Sequence, residues 1–147
     1  MNRARTLLVG GNDDFLDGIV DWIEGDADFQ VVGRAHSGAH ALDQLAVLRV
    51  DLVLMDVSLP DMSGFEVTRR MKMRAGAPLV VLLSFYDTRT IRLEALAAGA
   101  DCFVPKSETT TRLKPLVGDL LHGRSITVGE QGSVPLTRPV RPEDVVE

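Results

Sequence analysis

Residues 52–64 read LVLMDVSLPDMSG, and this stretch decides the fold. Its opening apolar run predicts a strand buried on both faces, as in a parallel sheet, and Asp56 closes that run. Pro60 then prevents the strand from continuing, and Ser63 with Glu66 matches a capping box that predicts the start of a helix. Asp56 is therefore predicted at the carboxyl end of a central strand, where open α/β sheets bind their ligands. The alternative interpretation is a turn aspartate that caps nearby backbone amides.

The rest of the chain repeats this pattern of a short apolar run followed by a helical segment. The predicted strands occupy residues 6–9, 29–32, 52–55, 79–83 and 102–104. Five such units in strict alternation imply an α/β fold in three layers, with a parallel sheet, right-handed crossovers and helices on both faces. Ser37 is predicted to cap the second helix and Asp87 the fourth, and Phe15 belongs to the apolar stripe of the first. The last helix is predicted within residues 111–122, and Pro115 and Gly118 are expected to weaken it.

Length, composition and net charge limit the number of domains and the kinds of function that the chain can have. The chain has 147 residues of which 45% are hydrophobic, which is enough for one domain with its own core. The net charge of −5 argues against direct nucleic-acid binding. The apolar stretches are too short for a membrane span, and one cysteine suits a reducing compartment, so we expect a soluble cytoplasmic protein. Residues 1–123 are predicted to form the domain, and the proline-rich residues 124–147 a linker or disordered tail.

Polar side chains close three of the predicted strands: Asp56, Ser84 and Lys106. Because the carboxyl ends of parallel strands lie at one edge of the sheet, we expect these side chains to converge on one crevice. A carboxylate nucleophile, a hydroxyl donor and a cation suit a phosphoryl group. Taken singly, Ser84 also fits a capping hydroxyl and Lys106 a solvated surface ammonium.

With these motifs the chain resembles the receiver domains of bacterial two-component response regulators. Residues 54–64 resemble the family's phosphoacceptor segment, residues 98–106 the segment around its lysine, and residues 31–38 the branch that usually carries a helix-turn-helix output domain. The resemblance implies a flavodoxin-like fold with strand order 2-1-3-4-5 and phosphoryl transfer from a sensor histidine kinase to Asp56. It also implies that Ser84 and Phe103 are the switch residues and that Lys106 contacts the phosphoryl group.

Three residues, Gly10, Gly11 and Phe85, depart from the family pattern. The acidic pair that follows the first strand in the family, and binds Mg²⁺ together with the phosphoacceptor and a backbone carbonyl, is replaced by Gly10 and Gly11. The ligands implied by the resemblance are then Asp56 and the carbonyl of Ser58, and we expect weak or absent Mg²⁺ binding. Asp13 and Asp14, three residues further on, could replace the pair or serve only as helix-capping residues. Phe85 follows Ser84 where the family tends to place a small residue, either as a packed loop aromatic or as a group that narrows access to Asp56.

Two functions remain open at this level. The first is a receiver domain that accepts a phosphoryl group on Asp56 and signals through a conformational switch to a partner or output domain. The second is a phosphorylation-independent pseudo-receiver that acts as a docking or dimerisation module. An enzyme is not expected, because no general base accompanies Asp56. The expected partners are a histidine kinase, a second copy bound through the fourth helix and the fifth strand, and an output domain absent from this chain, with no nucleic acid and no membrane.

Overall fold

The computed structural model describes residues 3–121 and 134–135. Its sheet has the order β2-β1-β3-β4-β5-β6, and the first five strands in this order are parallel, as predicted. The strands are β1 (Ala4–Val9), β2 (Phe29–Ala35), β3 (Leu52–Asp56), β4 (Leu79–Ser84), β5 (Cys102–Pro105) and β6 (Val134–Pro135). The two residues of β6 pair antiparallel with the edge of β5. The other residues predicted as a linker or disordered tail lie outside the described part of the chain.

Helices follow each of the five parallel strands: α1 (Asp13–Glu24), α2 (Gly38–Val47), α3 (Gly64–Lys72), α4 (Arg89–Ala98) and α5 (Thr109–Leu121). The first four begin after a polar residue whose side chain accepts a backbone N–H of the first turn, at Asn12, Ser37, Ser63 and Thr88. The cap of α4 was predicted at Asp87, and that prediction is wrong. Thr88 supplies the cap, because the Asp87 carboxylate instead binds Arg92.

The core forms two layers, one on each face of the sheet. Along a strand, successive side chains point to opposite faces, so alternate residues enter different layers. One layer packs under α2, α3 and α4 and includes Leu7, Val53, Met55, Leu82 and Phe103. The other packs under α1 and α5 and includes Leu8, Leu54, Val81, Leu83 and Val104. Every residue of β3 is buried, so the central strand holds Asp56 on a fixed backbone.

Helix α5 is more regular than its sequence indicates. It begins at Thr109, two residues before the predicted window, and it runs through Pro115 and Gly118 as far as Leu121. Proline removes one helical hydrogen bond, but Leu113, Leu116 and Val117 are buried against the sheet and stabilise the helix. Tertiary packing therefore overrides the local propensity. The described helices include none with the length and apolar content needed to cross a bilayer.

Candidate functional site

Asp56 and Lys106 form a buried ion pair at the carboxyl edge of the sheet. The Nζ atom of Lys106 donates to Oδ2 of Asp56 at 2.7 Å, and the two side chains are only 8% and 9% exposed. The sheet register explains this contact, because Asp56 lies opposite Leu83 at the end of β4, and Ser84 lies opposite Pro105, the residue before Lys106. The ends of β3, β4 and β5 therefore lie at one edge, and of the three predicted side chains Asp56 and Lys106 are in direct contact.

The loop after Asp56 folds back on its carboxylate. The backbone N–H of Ser58 donates to Oδ1 of Asp56 at 3.0 Å, and the N–H of Gly64 donates to the carbonyl of Val57 at 2.7 Å. A Cβ atom at Gly64 would lie 2.6 Å from the carbonyl oxygen of Asp56, so only glycine fits this close approach. Gly64 lies in the stretch that decides the fold, but its role in shaping the site follows only from this contact and not from the sequence pattern.

Two phenylalanine rings flank the ammonium of Lys106. Its Nζ lies 4.2 Å from the ring centroid of Phe15 in α1 and 4.0 Å from that of Phe85, in the loop after β4. Phe85 is nevertheless a largely exposed residue, with 79% of its surface accessible to solvent. The sequence offered one sign of this arrangement, the bulky residue directly after Ser84. Phe15 had been assigned only to the apolar stripe of the first helix.

Ser84 lies at the end of β4 and is buried. Its Oγ accepts the backbone N–H of Tyr86 at 3.0 Å, which fixes the start of the loop that leads to α4. A serine hydroxyl also carries a proton that it can donate, so this bond leaves its donor function intact.

Phe103 lies apart from the Asp56 carboxylate, fully buried in the core layer that packs against α4. The guanidinium carbon of Arg92 lies 5.6 Å from its ring centroid, and Arg92 donates to both carboxylate oxygens of Asp87, at 2.5 and 2.9 Å. Phe103 is therefore connected through Arg92 to the loop that follows Ser84. This is an indirect link between two predicted switch residues.

The oxygen donors for a cation at this edge are few. Gly10 and Gly11 contribute no side-chain donor, and Oδ1 of Asp13 lies 2.5 Å from Nε2 of His36, in a different contact. Among the residues whose positions are described, no group of three or more His, Cys, Asp and Glu side chains could hold a metal ion. The ligands that the family resemblance implies are then the carboxylate of Asp56 and the carbonyl of Ser58.

Asp61 joins the loop after Asp56 to a neighbouring helix. Its carboxylate accepts the N–H groups of Gly38 and Ala39, at 2.8 and 2.9 Å, at the start of α2. The Ala39 bond, followed by the Gly38 bond, lowers the pKa of Asp61, because both stabilise the ionised form. This contact was not predicted from the sequence. An acidic residue just before a helix in sequence is a familiar sign of helix capping, but Asp61 comes long after α2 in the chain, so the sequence does not indicate that it caps this helix.

Comparison with known proteins places this geometry in a family. Residues 6–117 match the family model described as "Response regulator receiver domain". The chain is similar to the protein-glutamate methylesterase/protein-glutamine glutaminase of Alkalilimnicola ehrlichii, at 31% identity over 99% of this chain and 38% of the relative. It is also similar to the DNA-binding transcriptional activator DevR/DosR of Mycobacterium tuberculosis, at 32% identity over 84% of this chain and 57% of the relative. The chain thus spans well under two thirds of either relative.

A solved structure gives the same result for the fold. The two-component response regulator of the LuxR family from Aurantimonas sp. SI85-9A1 superposes with a TM-score of 0.79 at 28% identity. The superposition covers 86% of this chain and 90% of that one. The matched segment, residues 6–117, contains the three strand-end residues predicted from sequence. The chain belongs to the response regulator receiver domain family.

Proposed function

We propose that this receiver domain accepts a phosphoryl group on Asp56. The observation that carries the proposal is the buried pair of Asp56 and Lys106 at the strand edge where Ser84 also ends. A buried carboxylate bound to one ammonium and one backbone N–H is held in a single orientation. Such an orientation suits a nucleophile that attacks in line.

The proposed reaction transfers a phosphoryl group from a histidine nitrogen of the kinase to a carboxylate oxygen of Asp56. A carboxylate oxygen of Asp56 attacks the phosphorus of a phosphohistidine on a sensor kinase and forms an acyl phosphate. The phosphorus–nitrogen bond breaks, its electron pair stays on the imidazole, and the imidazole takes a proton from water. Lys106 then pairs with a phosphoryl oxygen, and the hydroxyl of Ser84 donates to another. The new group adds about −1.5 to −2 charges at this edge, which Phe103 and α4 would transmit as a switch.

Mg²⁺ binds receiver domains as a class, but the donors present here fit it poorly. Mg²⁺ prefers six oxygen ligands in near-octahedral geometry, and carboxylates supply the charge that replaces its water. One carboxylate, already bound through both oxygens, and one carbonyl leave most of that requirement to water. We therefore propose weak Mg²⁺ binding at Asp56 and Ser58, and we assign the metal no step in the transfer.

A phosphorylation-independent docking or dimerisation module is the second candidate. It is favoured by the missing acidic pair at Gly10 and Gly11, since a protein that only docks does not need the metal ligands. Dimerisation through α4 and β5, a kinase partner and an output domain in a longer protein are further proposals. Methyl-ester hydrolysis and DNA binding are named for the longer relatives and are not assigned to this chain.

Intact-mass measurement separates the two candidates. The chain is incubated with phosphoramidate, with Mg²⁺ and with EDTA, and Asp56→Asn serves as the matched control. We expect the mass of one phosphoryl group on the wild-type chain, sensitive to hydroxylamine as an acyl phosphate should be, and none on the variant. If the wild-type mass is unchanged under all conditions, the docking module is the better description.

A further inference from the structure

The two rings beside Lys106 come from separate parts of the fold. Phe15 lies in the first turn of α1, and Phe85 lies in the loop after β4. Their centroids are nevertheless at nearly equal distances from Nζ, 4.2 and 4.0 Å. Two elements that approach one ammonium independently indicate a specific arrangement around that charge.

The bonding capacity of the ammonium supports the same interpretation. Lysine has three N–H donors and no acceptor, and Lys106 gives one donor to Oδ2 of Asp56. Aromatic faces attract cations, and the attraction strengthens when water is excluded. The Lys106 side chain is only 8% exposed, so its ammonium faces the rings and the carboxylate more than it faces solvent.

We propose that Phe15 and Phe85 form an aromatic cage that positions the ammonium of Lys106 over Asp56. Both are positioning residues, because they act through Lys106 and not on the reacting atoms. The cage explains why Phe85, a residue that is 79% exposed, keeps its ring beside the ammonium. Its consequence for the reaction rests on the proposed function: the cage holds a cation beside the phosphoryl acceptor in a site that lacks the acidic pair.

Nuclear magnetic resonance on the unphosphorylated chain tests the cage itself. Rings shift the protons above their faces upfield, so we expect the Lys106 side-chain protons upfield of those of an exposed lysine. Phe15→Leu and Phe85→Leu, which keep an apolar side chain, should each lose part of the shift, and Phe15→Tyr and Phe85→Tyr should keep it. If both leucine variants leave the Lys106 shift unchanged, the cage does not exist.

Trp22 and Lys114 provide a matched control within the chain. Their contact is a single pair, with Nζ of Lys114 at 4.7 Å from the ring of Trp22. We expect Trp22→Leu to move the Lys114 signals and to leave those of Lys106 in place. A change at Lys106 in this variant would mean that the shifts report a general loosening of α1, which would overturn the specific cage.

Phosphorylation kinetics test the positioning role. Phe15 is the better site than Phe85, because a change at the exposed Phe85 also alters access to Asp56. In phosphoramidate with EDTA, we expect Phe15→Leu to slow phosphorylation about fivefold and Phe15→Tyr to restore the wild-type rate. Equal rates for the two variants would overturn the positioning role. If the wild-type chain takes up no phosphoryl group, the proposed function fails, and the resonance shifts still decide whether the cage exists.

Discussion

The two sides of the Asp56 site have opposite characters. On the β1 side, Gly10 and Gly11 stand where the resemblance led us to expect acidic residues, and Phe15 contacts the lysine from the adjacent helix. On the β4–β5 side, Ser84 is buried at the end of β4, and Lys106 is paired with Asp56. The cation of the site is therefore present, whereas glycines occupy the positions of the acidic pair. The comparison teaches that the lysine side of a receiver site can keep its arrangement when the acidic pair on the other side is replaced by glycine.

The largest expected effect comes from rebuilding the β1 side. Gly10→Asp with Gly11→Asp should introduce Mg²⁺ binding and a Mg²⁺-dependent phosphorylation rate. One unit charge pair at about 4 Å and an effective dielectric of about 20 is roughly 4 kcal/mol, or up to about a thousandfold in rate. A Cβ at Gly10 would lie 3.2 Å from Cδ2 of Leu16 and one at Gly11 3.3 Å from Cδ of Pro60, so each neighbour must shift by a few tenths of an ångström. Rates with and without Mg²⁺ measure the effect.

The matched control is Gly10→Asn with Gly11→Asn, which adds the same volume without the charge. We expect this variant to bind Mg²⁺ no better than the wild-type chain. If the aspartate variant also gains no Mg²⁺ dependence, adding Phe85→Ala separates a blocked entrance from a defective metal site. Failure of that triple variant would mean that the missing acids do not explain the behaviour of the site.

The β4–β5 side is tested by removing its cation. Lys106→Ala leaves the carboxylate of Asp56 buried and without its ammonium, so we expect unfolding free energy to fall by about 3 kcal/mol. Asp56→Asn should be milder, because the amide oxygen can still accept from Lys106 and the rings still face the ammonium. Urea denaturation of both variants measures the difference. If the two variants lose the same unfolding free energy, an unpaired Asp56 carboxylate costs no more than an ammonium that the rings still contact, and this account is wrong.

The sequence sufficed for the fold because its information is local and repeated. The apolar run that ends at Asp56, and its four counterparts, predicted the parallel strands, and helix-capping residues such as Ser37 and Ser63 predicted helix starts. At α4 the prediction failed, because Asp87 and Thr88 are both good capping residues. The choice depended on Arg92, a turn further along, which binds the aspartate.

The site was only partly predictable, for a physical reason. Asp56 and Lys106 are both strand ends, so the topology alone brings them together. Phe15 contacts Lys106, and Asp61 binds the start of α2, only because of the way the helices pack against the sheet. No local sequence pattern indicates these contacts. The requirement for glycine at position 64 was also not predictable, because it comes from the carbonyl oxygen of Asp56, eight residues earlier, which leaves no room for a Cβ.

A smaller effect is expected where backbone approaches backbone beside Asp56. Gly64→Ala would place Cβ at 2.6 Å from the carbonyl oxygen of Asp56 and 2.9 Å from Cα of Val57. Backbone atoms cannot rotate away as a side chain can, so we expect a loss of about 2 kcal/mol. Gly18→Ala is the control, because it lies inside α1 with nothing within 4 Å, and it should gain roughly 0.5–1 kcal/mol. A loss at Gly18 or none at Gly64 would contradict this account of the loop.

The smallest effect concerns the link from the Asp56 loop to α2. Asp61 is exposed, and its folded-state pKa lies below its usual value because Ala39 and Gly38 donate to it. A depressed pKa stabilises the fold above the unfolded-state pKa, about 4, and this contribution is lost as pH falls through the folded-state pKa. Asp61→Ala should therefore lower stability slightly at pH 7 and converge with the wild-type chain at low pH. Asp61→Asn keeps an oxygen acceptor without the charge, so it should retain part of the stability and show the same reduced pH dependence. Parallel wild-type and Asp61→Ala stabilities between pH 2 and 7, measured by urea denaturation, would mean that the carboxylate does not stabilise α2 through its charge.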